Sequence, residues 1–356
     1  MVNSSGDNSS PFHLVLPNDP HSSVNNGAIL KALYPLEIAI CSISFIFNLV
    51  TLFTLHHTKN LMDQFRLSLQ LVTLGDLVFV TVDLFYSVTI VQYGDIVEAV
   101  QPQNLGCADE ALNDLSRHLL LLPLLSTTSV VIVQSLSIVK PLQFNSIVTK
   151  RRVLFGMALA VGFVALSYIT LHVVFLVGNM ERTCLEHFYG GYTRVSALYL
   201  GTACTAIEIV NLIVYAVFWH KARVTLTTGM ASNTHQHFRR LQVTVGLLMG
   251  TILLFWTPAV VMLFLMVLMY DNPADISRDA TIAHQSVGVV ALLNPLMDPL
   301  IYVLRISEVK GGYRRLWKKM TNSCQPKPKL DQNSETISDK MKTKDQGSED
   351  SYNTYL

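Results

Sequence analysis

Residues 241–269 read LQVTVGLLMGTILLFWTPAVVMLFLMVLM, an apolar stretch without a single charged side chain. A helix needs about 20 mostly apolar residues, at about 1.5 Å each, to cross the hydrocarbon core of a bilayer. The stretch therefore predicts a membrane-spanning helix. Further stretches like it follow one another along the chain with short polar breaks between them. The seven predicted spans are residues 33–57, 66–91, 110–139, 153–177, 194–219, 241–269 and 280–304.

The composition of the chain excludes an ordinary soluble domain. Hydrophobic residues make up 50% of it and charged residues only 14%, whereas soluble domains carry about 25% charged residues. The net charge of +1 gives no basic excess for nucleic acid. No Cys-x-x-Cys or His-Glu-x-x-His pattern occurs, so we expect no metal, no cofactor and no enzyme. The predicted fold class is an all-α membrane protein, a seven-transmembrane helix bundle with a C-terminal amphipathic helix.

Lysine and arginine concentrate on one side of the predicted spans. The connections on the other side carry only Lys31, Arg182, Arg194 and Arg278. Because positively charged loops stay in the cytoplasm, we expect a multi-pass protein of the plasma membrane with its N-terminus outside the cell. Asn3 and Asn8, each in an Asn-Ser-Ser sequence, then lie outside, where both can be glycosylated.

Outside the spans the chain is polar. We expect residues 1–32 to form an extracellular tail, 33–304 the bundle, 305–324 a basic amphipathic helix on the inner membrane surface, and 325–356 a disordered cytoplasmic tail. Cys324 is a candidate for palmitoylation, and an unmodified cytosolic thiol is an equal alternative.

Polar side chains recur at matching depth inside the spans. Asn48, Asp76, Asn294 and Asp298 lie in spans one, two and seven. An acid at a helix centre costs about 2.5–3.5 kcal/mol on insertion scales, so such residues are functional candidates. We expect these four to meet in a buried polar network around water or a small cation.

Prolines interrupt three spans. Pro258 follows Trp256 in span six, Pro299 lies in span seven, and Pro123 would bend span three. Two proline-hinged helices beside a buried acid indicate a conformational switch more than a static pore.

These motifs together resemble those of the rhodopsin-like (class A) G-protein-coupled receptors over residues 33–320. The matching positions are Asn48, Leu71 to Asp76, Tyr215, Trp256 with Pro258, and Asp298 to Tyr302. The resemblance implies a receptor that binds an extracellular ligand, rearranges helices six and seven, and signals to a heterotrimeric G protein. It assigns Trp256, Pro258, Pro299, Tyr302 and Tyr215 to the activation switch. It also implies a disulfide between Cys107 and Cys184.

One departure from the family concerns G-protein contact. Val133-Gln134-Ser135 stands where the family has Asp-Arg-Tyr, so the usual arginine is Gln134. Arg239 lies near the place of the acid that often pairs with that arginine. We expect Gln134, Ser135 and Arg239 to face the G protein. Either coupling is weakly restrained, or the chain is a seven-transmembrane binding or trafficking protein that has lost ordinary coupling.

Charged residues in the outer halves of the spans suggest a ligand pocket. The candidates are Asp83, Asp114, Ser116, Arg117, Glu186, Trp256 and His284. One interpretation is an acidic cavity for an amine or a basic peptide. The favoured alternative is that Asp114 pairs with Arg117 or His118 one turn away, and that Asp83 and Glu37 face outer-loop water.

Two shorter patterns suggest finer assignments. Leu293 to Arg305, followed by Glu308-Val309-Lys310-Gly311, resembles the helix-seven segment of vertebrate olfactory receptors, which implies an odorant or other chemosensory receptor. Thr354-Tyr355-Leu356 fits the terminus that PDZ domains bind, with a free tail end as the alternative. Serines and threonines among the acidic residues of the tail are candidate phosphorylation sites, through which the family recruits arrestin.

Overall fold

The computed structural model describes residues 20–58, 61–100, 103–178, 192–227, 232–269 and 278–323. Within these ranges every regular element is a helix, and no strand occurs. The apolar segments long enough to cross a membrane are Ala32–His57, Asp63–Gln92, Ala111–Ser137, Lys150–Val174, Arg194–Lys221, Gln242–Leu268 and Ile282–Arg305. These seven segments confirm the predicted spans to within a turn of helix at each end, and with them the predicted helix bundle.

The helices are longer than the apolar segments that they contain. In chain order they are α1 Pro20–His57, α2 Asp63–Val100, α3 Gln103–Leu119, α4 Leu121–Val139, α5 Phe144–Ile147, α6 Lys150–Gly178, α7 Thr193–Thr227, α8 Ser232–Met269, α9 Arg278–Ala291, α10 Leu293–Arg305 and α11 Ser307–Ser323. Helix α1 already begins at Pro20, so the last part of the predicted tail 1–32 is helical.

Prolines explain two breaks within spans. Span three divides at Leu120 into α3 and α4, and span seven divides at Leu292 into α9 and α10. Each break lies three residues before a proline, Pro123 or Pro295. A proline lacks the N–H group of a normal helix bond, and its ring clashes with the carbonyl four residues earlier. The bend expected from Pro123 is therefore found, whereas α8 continues through Pro258 as one element.

Span three is the central helix of the bundle. In the most apolar 18-residue stretch of span three, 67% is buried, against 11% in the corresponding stretch of the span in α6. Helix α4 packs against α2, α6, α7 and α8, while α1 packs against α2, α9 and α10. The side chains between α4, α7 and α8 form the largest apolar cluster, which includes Leu121, Leu200 and Trp256. Helix α6 presents most of its apolar surface outward, as expected of a helix that faces lipid.

The chain divides into two compact units, Met1–Tyr313 and Arg314–Leu356. In the first unit, the end of α11 that follows α10 lies against α1. The hydroxyl of Tyr313 lies 2.5 Å from that of Thr51, and Gly312 is buried. In the second unit, the described part of α11 carries exposed Arg314, Arg315 and Trp317. Helix α11, Ser307–Ser323, lies within the region 305–324 for which we predict an amphipathic helix.

We expect Gly312→Ala to destabilise the protein. A Cβ atom there would stand 2.6 Å from Cγ2 of Thr54 and 2.9 Å from Oγ1 of Thr58. Both threonines are buried, and Thr58 Oγ1 donates to Thr54 O at 2.7 Å, so neither can turn away freely. Overpacking of this kind costs about 1–3 kcal/mol.

The measurement is the thermal unfolding midpoint of the full chain in detergent. Gly250→Ala is the matched control, because nothing lies within 4 Å of its Cβ position. Helix propensity alone should leave that variant as stable as the wild type or slightly more stable. Equal midpoints for the two variants would contradict the close approach of α11 to α1.

Candidate functional site

A hydrogen bond between α1 and α10 connects the first and last spans. Pro299 has no N–H group, so the carbonyl of Pro295 lacks its helical donor. The side chain of Asn48 supplies one: Nδ2 donates to Pro295 O at 2.8 Å. The same nitrogen lies 3.0 Å from Ser44 O. The amide therefore satisfies a main-chain acceptor that the proline leaves open, deep in the membrane, where an open acceptor is costly.

Beside this bond lies a cluster of buried polar side chains. Asp76, Asn294, Asp298 and Tyr302 are at most 1% exposed, and the charge of Asp298 acts on Asp76. Both carboxylate oxygens of Asp76, Oδ2 of Asp298 and the amide oxygens of Asn48 and Asn294 have no donor among the described residues. The structure thus brings together the four residues of the expected polar network. Their open acceptors are of the kind that water or a small cation satisfies.

A cavity of about 740 Å³, counted with the open solvent at its mouth, lies between the spans at the level of Glu37 and Asp83. Every described span except the one in α6 contributes to its wall. The polar lining residues are Glu37, Asp83, Tyr86, Asn113, Ser116, Arg117, His284 and Gln285. The apolar lining includes Phe79, Leu120, Leu200 and Leu263. A position between helices and a mixed lining are typical of a small-molecule site.

Two acids form one hydrogen-bonded unit at the wall of the cavity. Ser116 Oγ donates to Asp83 Oδ1 at 2.7 Å, and the Cys41 thiol lies 3.5 Å from Oδ2. Gln285 donates to Glu37, and Glu37 lies near enough to Asp83 for the two carboxyl groups to interact. The two acids connect α1, α2, α3 and α9. They do not face outer-loop water as expected.

Asp114 belongs to a different cluster, between spans three, four and five. Its carboxylate accepts from Tyr192 at 2.5 Å and from Ser196 at 2.9 Å. His118 Nδ1 lies 3.3 Å from the same carboxylate, and His172 Nδ1 lies 2.9 Å from the Tyr192 hydroxyl. Of the two predicted partners of Asp114, the structure shows His118. Asp114 is not among the residues that line the cavity.

Tyr192 is a member of this cluster that sequence reasoning missed. It precedes the fifth span and is 1% exposed. Burial, and then the negative charge of Asp114, raise the pKa of Tyr192 above its usual value. The hydroxyl therefore stays protonated and remains a donor. No local pattern around residue 192 reveals this role, because both partners come from other helices.

Trp256 lies beneath the cavity and not in its wall. It is fully buried, and its ring lies 6.3 Å from that of Phe79, measured between centroids. Phe79 does line the cavity. Of the predicted pocket residues, Asp83, Ser116, Arg117 and His284 therefore line the cavity. Trp256 does not line it, but it contacts Phe79, which does.

Near the end of α4, Gln134 and Ser135 are buried, at 2% and 7% exposure. Neither amide atom of Gln134 has a partner among the described residues. Tyr215 lies beside Gly246, with its hydroxyl 2.9 Å from the position of a Cβ on that glycine. The nearest ion pairs join Asp63 to Arg66 at 2.7 Å and to Lys150 at 2.6 Å.

Several predicted sites lie outside the described residues or side chains. They are Asn3, Asn8, Cys107, Cys184, Glu186, Arg239, Cys324 and Thr354 to Leu356. Cys41 and Cys204 are free and buried.

The fold and the site define a class: a multi-pass membrane protein with a cavity between its helices and a buried polar core. Residues 135–302 match the model of the family described as 7 transmembrane receptor (rhodopsin family). Over these residues, and in its seven membrane-length helices, the chain is similar to the rhodopsin family of seven-transmembrane receptors. Tyr215, Trp256, Pro258 and Asp298 to Tyr302 all fall within the matched residues, and Asn48 and Asp76 precede them.

We expect Asn48→Leu to lower stability by about 1–3 kcal/mol, because it leaves the Pro295 carbonyl without its donor inside the bundle. The measurement is the unfolding midpoint of the full chain in detergent. Thr202→Val is the control, since the exposed hydroxyl of Thr202 bonds only to carbonyls of its own helix, Leu198 O and Tyr199 O. A loss no larger than that of the control would show that the α1–α10 bond contributes little.

Proposed function

We propose that this chain is a G-protein-coupled receptor whose extracellular ligand occupies the outer cavity. The observation that supports the proposal is a series of contacts that leads from the cavity to the proline of span six. Phe79 lines the cavity and contacts Trp256, which stands two residues before Pro258 in α8. A ligand that changes the packing of Phe79 acts directly on the residue beside the helix-six proline.

The proposed mechanism is a shift between two packings of spans six and seven. A ligand moves such an equilibrium only by binding one packing better than the other. Helix α8 packs against α9 and α10, and Asp298, Pro299 and Tyr302 of α10 lie in the buried core. Moving α8 therefore repacks α10 and changes the cytoplasmic surface that a G protein meets.

The alternative is a seven-transmembrane binding or trafficking protein without G-protein signalling. The observation in its favour is Gln134, which has no fixed charge and is 2% exposed. A G protein that uses this position must first uncover it. A glutamine amide then offers it only neutral hydrogen bonds.

Nucleotide exchange on purified G proteins separates the two functions. We expect the wild-type chain in lipid nanodiscs to stimulate GTPγS loading of at least one Gα class, basally or with a mixed panel of odorants, amines and peptides. We expect Gln134→Arg to raise that rate several-fold, because a guanidinium binds carbonyl and carboxylate groups of a partner more strongly than an amide. Gln143→Arg, at an exposed position of the turn before α5, is the matched control and should not change the rate.

The outcomes differ clearly. Exchange by the wild type supports the receptor. Exchange by Gln134→Arg alone means that cavity and hinge are intact in a chain that has lost coupling, which favours the alternative. Silence of both variants with every Gα class and the whole panel would contradict G-protein signalling.

The chemosensory role, the plasma membrane and the extracellular N-terminus are finer parts of the same proposal. Residues 293–311 support the first through their resemblance to olfactory receptors, and the distribution of Lys and Arg supports the others. We expect the transcript in chemosensory neurons and an N-terminal epitope that antibody reaches on unpermeabilised cells. A transcript confined to other tissues would contradict the chemosensory role.

We further propose the Cys107–Cys184 disulfide, glycans at Asn3 and Asn8, a palmitoyl group at Cys324, and arrestin and a PDZ protein as partners of the tail. No cofactor is needed for any of these functions.

A further inference from the structure

The cavity contains a cation that the other described residues do not neutralise. Arg117 lines the cavity, and among the described residues its guanidinium has neither a hydrogen-bond partner nor an ion pair. Arginine stays charged at any ordinary pH and carries five N–H donors. A charge inside a membrane span is expected to find a partner or to face a wet cavity, and within the described part of the chain Arg117 faces the cavity.

The nearest acid along the helix is committed elsewhere. Asp114 lies one turn before Arg117, but its oxygens accept from Tyr192 and Ser196 and lie beside His118. Among the described residues Asp114 therefore has other partners and forms no ion pair with Arg117. The donors of the guanidinium remain open to a ligand in the cavity.

The acids in the cavity wall are satisfied by neutral donors. Asp83 accepts from Ser116 and lies beside the Cys41 thiol, and Glu37 accepts from Gln285. An amine ligand would have to displace these donors, which is costly in a buried site.

Much of the remaining lining of the cavity is apolar. Leu120, Leu200 and Leu263 line it together with Phe79. His284 lies near enough to Arg117 to be affected by its charge, and its imidazole adds a further hydrogen-bonding group. The lining thus combines a cation with an apolar surface.

From this arrangement we infer that the cavity binds an amphipathic anion, with a carboxylate on the guanidinium of Arg117 and an apolar body against Leu120, Leu200 and Leu263. The inference rests on the proposed function in taking the cavity as the ligand site, and it names the chemical class of the ligand. It replaces the acidic-cavity interpretation, in which an amine or a basic peptide binds.

Equilibrium binding of radiolabelled octanoate to the full chain in nanodiscs tests this inference, with empty nanodiscs giving the partition background. We expect saturable binding that unlabelled octanoate displaces, and that octanamide and octylamine, which have the same chain, displace at least about tenfold less well. Arg117→Gln should weaken octanoate binding about tenfold or more, as expected for loss of a charged hydrogen bond. Arg117→Lys should retain part of the binding, because it keeps the charge and loses the bidentate geometry.

Arg151→Gln is the matched control, an exposed arginine at the start of α6 that does not line the cavity. It should bind octanoate as the wild type does. Wild-type affinity in Arg117→Gln, displacement by octylamine as good as by octanoate, or no saturable binding of octanoate would each overturn the inference.

The same preparations separate this inference from the proposed function. Binding of octanoate that depends on Arg117, without nucleotide exchange on any Gα class, would support the ligand class and contradict the receptor. Exchange stimulated by another compound of the panel, without octanoate binding, would support the receptor and overturn the ligand class.

Discussion

The hydrogen bond from Asn48 to the carbonyl of Pro295 is the constraint on which the buried core depends. It exists because Pro299 removes one helical donor, and it holds the first span against the last at 2.8 Å. Asp76, Asn294, Asp298 and Tyr302 are enclosed next to it. Their polar groups can remain inside a membrane only while α1, α2 and α10 stay closed around them. The donor that Pro299 removes from α10 is thus replaced by a donor from α1, and the polar core beside this bond brings α2 into the same contact.

Prolines also divide the spans along their length. Pro123 and Pro295 each follow a helix break, and the segments on either side of the break in span three belong to different sites. Helix α3 carries Asp114, Ser116 and Arg117 near the cavity, while α4 carries Gln134 and Ser135 at its other end. Trp256 is in contact with Phe79 of the cavity wall. Under the proposed function, a signal from the cavity passes through these packed aromatic side chains, and close packing there favours discrete alternative arrangements over gradual deformation.

Sequence alone predicts the spans and the break before Pro123, because hydropathy and proline act locally. The break in span seven comes before Pro295 and not at the predicted Pro299, through which α10 continues. Sequence also finds the polar core, since Asn48, Asp76 and Asp298 are too costly inside a membrane to lack a role. It cannot choose between His118 and Arg117 as the partner of Asp114, because both lie about one turn away on the same helix. Tyr192, just before α7, and Ser196 of α7 add the contacts that fix Asp114 beside His118. In the same way, Trp256 is reached from the cavity through Phe79 of α2, a tertiary contact that its own motif does not reveal.

Gln134 stands where the family that this chain resembles has the arginine of an ion pair, so that pair cannot form here. The pairs that Asp63 forms with Arg66 and Lys150 are about half exposed at the acid, and such pairs contribute little. Among the described residues, Tyr215 packs against Gly246, and Gln134 is buried beside Phe65 and Phe144. Contacts of this kind rest on dispersion and apolar burial, which depend little on salt. Under the proposed function, the resting state should therefore depend on side-chain volume at these ends of α4, α7 and α8 more than on ionic strength.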